Sequence, residues 1–232
     1  MELVERVNML LNGEKVDRVP FHNFILGFCA RNVGYPVAAM YNDPEKSFQA
    51  QLWTLEQYGF DGSPDFGYAS YGGWEFGGEI RFPASQWEQA PSIVRFPVQS
   101  EEDVSKLTLP DVKTAGMLPA AMRFSRLQEK AGAPISIVIG GNFTIAGNIC
   151  PVDKLCRWML KKPGLAHRLL QLASDHIVQV VKHWADTFGA DRVLPKFWEP
   201  LSSNEIISPK LFAEFVFPYL ALTSEKLLAM GV

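Results

Sequence analysis

The chain has 232 residues, 47% hydrophobic and 20% charged, enough apolar material to fill one sizeable core and too much for a disordered chain. Its net charge of −3 and pI near 5.8 give no electrostatic basis for binding nucleic acid or an anionic membrane, and no apolar run reaches membrane-spanning length. The three cysteines, Cys29, Cys150 and Cys156, include no CxxC pair, which argues against a disulfide scaffold and suits a reducing, cytoplasmic compartment.

In chain order, residues 1–11 carry apolar side chains at 3, 4, 7, 10 and 11, the helical period, with Gly13 placed as a helix-ending glycine. Glu2, Glu5 and Arg6 leave no apolar signal core at this end. Residues 19–26 read as a buried strand. Asp43-Pro44-Glu45 is an N-cap, a proline at the first helical position and an early acid; the helix it opens runs to Tyr58 and stops at Gly59. Residues 60–68 form a second strand candidate, weakened by Pro64. Residues 78–83 and 93–97 are extended excursions that suggest a hairpin. Ser100-Glu101-Glu102-Asp103 starts a short helix that ends before Pro110, and a helix follows over 119–130. Residues 134–140, rich in Ile and Val, are a third buried strand that runs into a glycine-rich loop, Gly140-Gly141-Asn142-Phe143-Thr144-Ile145-Ala146-Gly147. Helices are expected over 152–160 and 163–188, a fourth strand over 192–197, and a last helix from Ser208-Pro209 to Met230. Strand and helix alternate four times, which predicts an α/β fold with a parallel sheet and helices outside. Four such units are half of an eight-stranded TIM barrel, and no linker divides residues 1–232 into two domains.

The ordered set of segments resembles the uroporphyrinogen decarboxylase superfamily over essentially the whole chain. Gly13-Glu14-Lys15-Val16-Asp17-Arg18-Val19-Pro20 looks like the lead-in to its first barrel strand, and 140–146 like its third strand and loop. Lys162-Pro163-Gly164 with His167-Arg168-Leu169-Leu170, then Gly189-Ala190-Asp191, then Ile207-Ser208-Pro209 with Phe212 to Tyr219, match the segments that follow. The resemblance implies the N-terminal half of a (β/α)8 barrel, with its site at the C-terminal ends of the strands. It also implies that the fifth strand would begin after Val232. Such a half is expected to be a fragment, to pair with another copy, or to be completed by a separate chain.

The superfamily implies two chemistries. Porphyrinogen decarboxylases need arginines in the first strand's loop, in a run resembling Arg-Gln-Ala-Gly-Arg, because guanidinium forks pair with the substrate's carboxylates. The corresponding stretch is Phe24-Ile25-Leu26-Gly27-Phe28, with no basic residue before Arg31. The family's catalytic aspartate falls near Ala69 or Ser70, with Asp65 out of register, and Asn148 replaces its third-loop tyrosine. The other branch moves methyl groups between a corrinoid and a thiol or pterin. It resembles this chain at Trp74-Glu75-Phe76-Gly77-Gly78-Glu79 and at Glu199-Pro200, where it has Asp-Pro. That branch binds zinc through a His-x-Cys pair and a distant Cys, which activates the thiol; the ligands would lie after Val232, so no metal is expected in this chain.

The expectation is therefore a methyltransferase-like enzyme of corrinoid-dependent one-carbon metabolism, inactive alone, with a small-molecule methyl acceptor and a corrinoid protein as partner. The alternatives are uroporphyrinogen decarboxylase and a non-catalytic corrinoid- or tetrapyrrole-binding protein. The candidate substrate-binding residues at the mouth are His22, Asn23, Glu75, Asn142, Asn148 and Glu199. Glu199 ends the fourth strand, where barrel residues are functional, and Glu75 lies in an aromatic, glycine-rich loop. His22 and Asn23 lie on the first strand, and an inward histidine there reaches substrate or simply satisfies the core. His176 and His183 lie seven apart on one helix, too far to share an ion, and are expected at the solvent face. Cys150 and Cys156 are read as small buried hydrophobes.

Overall fold

The computed structural model describes residues 3–68 and 70–232, the side chains of Leu3 and Val4 excepted. Methionine 1, Glu2 and Ala69 therefore lie outside the described residues, including that part of the first helix and one of the two positions expected for the family aspartate. In order, the helices and strands are α1 (Leu3–Leu11), α2 (Leu26–Asn32), α3 (Ala39–Asn42), α4 (Pro44–Tyr58), β1 (Glu79–Arg81), β2 (Ser92–Arg95), α5 (Glu101–Lys106), α6 (Leu118–Lys130), β3 (Ile135–Gly140), α7 (Asn142–Ile149), α8 (Val152–Lys161), α9 (Pro163–Phe188), β4 (Val193–Trp198), α10 (Pro209–Leu211) and α11 (Phe217–Ala229).

Local signals account for most boundaries. The Asp43 side chain accepts from Lys46 N–H at 3.1 Å, Pro44 opens α4, and Gly59 closes it in the left-handed region. A reciprocal Ser100–Asp103 capping box starts α5. In α9, Leu169, Leu170, Ala173, Ile177, Val180, Val181 and Trp184 are buried at helical spacing, so this helix is the main wall of the core.

β3 and β4 pair in parallel, from Ile135 opposite Val193 to Gly140 opposite Trp198. Every residue of β3 is buried, because both its faces are covered, whereas only Val193 is buried in β4. β1 and β2 form the expected hairpin, antiparallel with a register shift at Glu79 and Ile80.

Several expectations are corrected. Residues 19–25 form no strand, Val19 is 76% exposed, and α2 begins at Leu26. Pro20 has no N–H to give a ladder, and the segment is held by isolated bonds to Asp61 instead. Residues 60–68 likewise form no ladder. Asp65 N–H donates to the Gln51 side chain at 2.9 Å, and the Pro64 carbonyl accepts from Gln128 at 2.8 Å, so side chains take the place of a neighbouring strand. The chain is thus α/β, but with a two-stranded parallel sheet among the described residues, and these strands close no barrel.

The glycine-rich stretch after β3 is the wholly buried helix α7. Its Gly147 packs where a Cβ would stand 2.8 Å from the Leu201 side chain, so close packing explains the glycine. The last helix is interrupted by a π turn, Phe212–Val216, in which Phe217 N–H reaches the Phe212 carbonyl. Pro218 follows directly, and the wider turn gives room for a ring that would crowd a regular α-turn. Finally, of the pair His176 and His183, His176 is fully buried against Tyr71 and Phe76, and burial pushes its pKa down to about 3, while His183 is partly exposed.

Candidate functional site

β3 and β4 run in the same direction, and beyond their C-terminal ends lies a cleft of about 400 Å³. Ligands of parallel α/β sheets bind at this end. Phe24 to Phe28, in the loop leading into α2 and its first turn, form one wall; Val138, Ile139, Gly140 and Thr144 form the floor; Trp198 and Pro200 form the other wall. Tyr41, Tyr68, Gln89 and Ala90 complete it. Phe24 and Trp198 meet edge to face with ring centroids 4.5 Å apart. Among the described residues, the lining has neutral polar groups and no acidic, basic or histidine side chain.

Glu199 follows β4 but turns its carboxylate onto the N-terminus of α7. Its oxygens accept from Phe143 N–H at 2.9 Å and Thr144 N–H at 2.6 Å, and from the Thr144 hydroxyl. Helix α7 has no capping side chain of its own, since Gly141 stands at its N-cap, and a carboxylate there satisfies free N–H groups and the helix dipole. Burial raises the Glu199 pKa and these bonds oppose the rise. Glu199 therefore ties the Thr144 side of the cleft to the Trp198 side.

One residue pair further down the same strands lies an ionic layer. Period two places Lys196 on the face that carries Trp198. Lys196 Nζ contacts Asp65 Oδ1 and Oδ2 at 2.9 and 2.7 Å, the Ser136 hydroxyl donates to Oδ1, and His22 Nε2 is 3.5 Å from Oδ2. The Asp65 pKa is lowered: burial raises it, and His22, Lys196 and Ser136 together outweigh burial. Next to this layer, Asp61 is held by Arg6 and Arg18.

None of the six residues read as mouth candidates is among those lining the cleft. His22 and Asn23 border a small crevice with Ser63 and Asp65. Glu75 is buried and accepts from Gly72 N–H at 2.7 Å, Met117 N–H at 3.0 Å and the Tyr68 hydroxyl. Asn142 points between α9 and α11, donating to Ser174 at 2.6 Å and Thr223 at 3.0 Å, and Asn148 donates to the Tyr71 carbonyl at 2.8 Å. Sequence reasoning missed Phe24, Tyr68, Thr144 and Trp198 as lining residues, and the Asp65–Lys196 pair. The one available signal was the alternation of Leu194, Lys196 and Trp198, which singles out a charge on an otherwise apolar strand face.

Among the described residues no three His, Cys, Asp or Glu side chains converge where they could share a metal ion. Burial raises the Cys29 and Cys150 thiols, Cys150 to about 12, which is the reverse of what zinc ligation requires. These residues do not fit the zinc that the family resemblance implies. Among them, too, no helix is long and apolar enough to cross a membrane.

The model of the uroporphyrinogen decarboxylase (URO-D) family matches residues 3–231. The chain belongs to the URO-D family. Its relatives carry both of the family's chemistries. A methylated-thiol–coenzyme M methyltransferase of Methanosarcina mazei is 33% identical over 85 residues, 37% of this chain and 22% of the relative. A uroporphyrinogen decarboxylase of Myxococcus xanthus is 28% identical over 143 residues, 59% of this chain and 40% of the relative. A methylcobamide:CoM methyltransferase of Methanosarcina barkeri is 23% identical over 129 residues, 54% of this chain and 37% of the relative. The matched segments thus span 40% or less of these relatives. A solved methyltransferase structure from Methanosarcina mazei superposes with a TM-score of 0.78 at 22% identity, covering 96% of this URO-D chain and 66% of the other, which shows a shared fold.

Proposed function

We propose that this URO-D family chain is methyltransferase-like and serves corrinoid-dependent transfer of a methyl group between a methyl-corrinoid and a thiol or pterin. The observation that carries the reading is the neutral, apolar cleft at the ends of β3 and β4. A polyacidic tetrapyrrole brings several carboxylates, and each desolvated carboxylate needs a cation or several N–H donors. This lining supplies none of the cations. A macrocycle with an apolar face is better matched, and a cleft of this volume would hold one edge of it rather than the whole.

In this reading the residues divide the work plainly. Phe24 and Trp198 offer aromatic edges and faces for contact, Gly140 and Thr144 leave backbone and hydroxyl groups close to the ligand, and Glu199 keeps the two walls in register. The zinc of the thiol-dependent branch would supply thiol activation; the described residues do not provide its ligands, so the chain is proposed to be inactive alone. The parallel β3–β4 pair with helices outside supports an origin in the N-terminal half of a (β/α)8 barrel, with residues 1–232 as one domain. A corrinoid protein is the proposed partner, a second copy of the chain a further one, and the three unpaired cysteines support a cytoplasmic setting.

Porphyrinogen decarboxylation is the rival reading, carried by the Myxococcus relative. A non-catalytic corrinoid binder is the other, favoured by a cleft whose described lining carries no acidic, basic or histidine side chain. Titrations of the purified chain with hydroxocobalamin and, separately, uroporphyrin decide among them. Saturable cobalamin binding that Trp198→Ala weakens at least tenfold is the expected result, with no saturable binding of uroporphyrin. Tight uroporphyrin binding that Trp198→Ala leaves intact would refute the proposal. Retained methyl transfer by a longer form with the zinc ligands would separate the enzyme from the binder.

A further inference from the structure

Residues 19–25 form no ladder, yet they bring Phe24 and Ile25 to the cleft wall. What holds them is a short set of contacts around His22. Phe21 N–H donates to Asp61 Oδ2 at 2.8 Å, and the Phe21 carbonyl accepts from Asp61 N–H at 2.8 Å. The His22 ring lies over Gly62, whose φ is +104°; a Cβ there would stand 2.2 Å from His22 Nδ1. Nδ1 is 3.0 Å from the Asp61 carbonyl oxygen, and Nε2 is 3.5 Å from Asp65 Oδ2.

Both of these neighbours are acceptors. A carbonyl oxygen has no proton to give, and the Asp65 carboxylate already receives Lys196 and the Ser136 hydroxyl, the arrangement of an ionised group. A neutral imidazole has one N–H, so one of its nitrogens would turn a lone pair onto an acceptor. An imidazolium donates at both.

We propose that His22 is a positioning residue for the cleft: as an imidazolium it clips residues 19–25 to residues 61–65 and so sets Phe24 against Trp198. The charged groups around it act in both directions. Asp65 is the largest favourable influence on the cation, partial burial opposes it, the Asp61 carbonyl favours it, and Lys196 opposes it. Arg18 stands behind Asp61, and the neutral Cys29 thiol lines the same crevice. The net direction is upward from 6.5. A raised histidine pKa gives stabilisation that is complete below 6.5 and disappears as pH rises through the folded value. The clip therefore opens on the alkaline side. This inference does not depend on which ligand the cleft takes; only one of its readouts uses a ligand.

The test follows the His22 ring by nitrogen NMR and the Phe21 and Asp61 amides by hydrogen exchange, corrected for intrinsic rates, as pH is raised. The ring is expected to titrate above 6.5, with protection of both amides falling several-fold across the same step. His22→Gln, which donates to Asp65 without titrating, is expected to keep protection at every pH, and His22→Ala to lose it at every pH. Hydroxocobalamin affinity is expected to follow the wild-type step and to be flat in His22→Gln. A ring that titrates at or below 6.5, or one exchange profile shared by wild type and His22→Gln, would overturn the inference. If hydroxocobalamin binds at no pH while the ring and amides behave as expected, the proposed function falls and the clip stands.

Discussion

Glu75 accepts three hydrogen bonds, from Gly72, Tyr68 and, 42 positions away, Met117. Its sequence context, an acid among glycines and aromatics, resembles an exposed binding loop, yet its side chain stitches the loop to the start of α6. Glu75→Ala leaves three donors without an acceptor and is expected to cost about 2–4 kcal/mol, read as a lower urea midpoint. Burial raises the Glu75 pKa above its ordinary 4.5 despite those bonds. The folded state thus binds this proton more tightly than the unfolded chain, so the group favours folding most below 4.5 and progressively less as pH rises through its folded value. The same lesson holds for Asn142, whose amide meets Thr223 across 81 positions, and for Asp65, which meets Lys196 across 131. Residue type was legible in each case; direction was not, because the partner is distant in sequence.

At the scale of elements, α4, α5, α6 and α9 were legible because their signals are local: Asp43 and Pro44, the Ser100–Asp103 box, Pro119, Pro163. Helix α7 was not. Gly140, Gly141 and Gly147 read as a loop, while the actual helix takes its N-terminal cap from Glu199, on another element. Glu199→Ala is expected to destabilise the chain by about 1 kcal/mol and to loosen the cleft, since Thr144 belongs to both. Burial raises the Glu199 pKa, so its ionisation favours folding less as pH climbs from 4.5 through the folded value. Glu199→Gln should flatten that part of the stability profile, measured as Tm from acid to neutral pH; an unchanged profile would show that Glu199 is not the group responsible. The segments 19–25 and 60–68 failed as strands for a related reason. Their apolar character predicted burial or extension, but Pro20 and Pro64 interrupt the donor pattern that a ladder requires.

For the molecule as a whole, β4 pairs only with β3 among the described residues, and Leu194 is 51% exposed beside it. Phe217 and Leu228 add exposed apolar surface on α11. Free edges and apolar patches promote association. Concentration-dependent self-association is therefore expected in sedimentation experiments, and Leu194→Lys should reduce it; a monomer at every concentration would count against a second copy as partner.

The amino-acid sequence alone determined the α/β alternation, the family resemblance, most helix boundaries and the lack of arginine in the first loop. These depend on spacing, capping and composition over a few neighbouring residues. Only the tertiary structure decided where the carboxylates and amides point, that the cleft is walled by Phe24 and Trp198, and that His22 sits between two acceptors. Those properties arise from contacts between segments tens of residues apart, and local chemistry does not specify which distant group a side chain will meet.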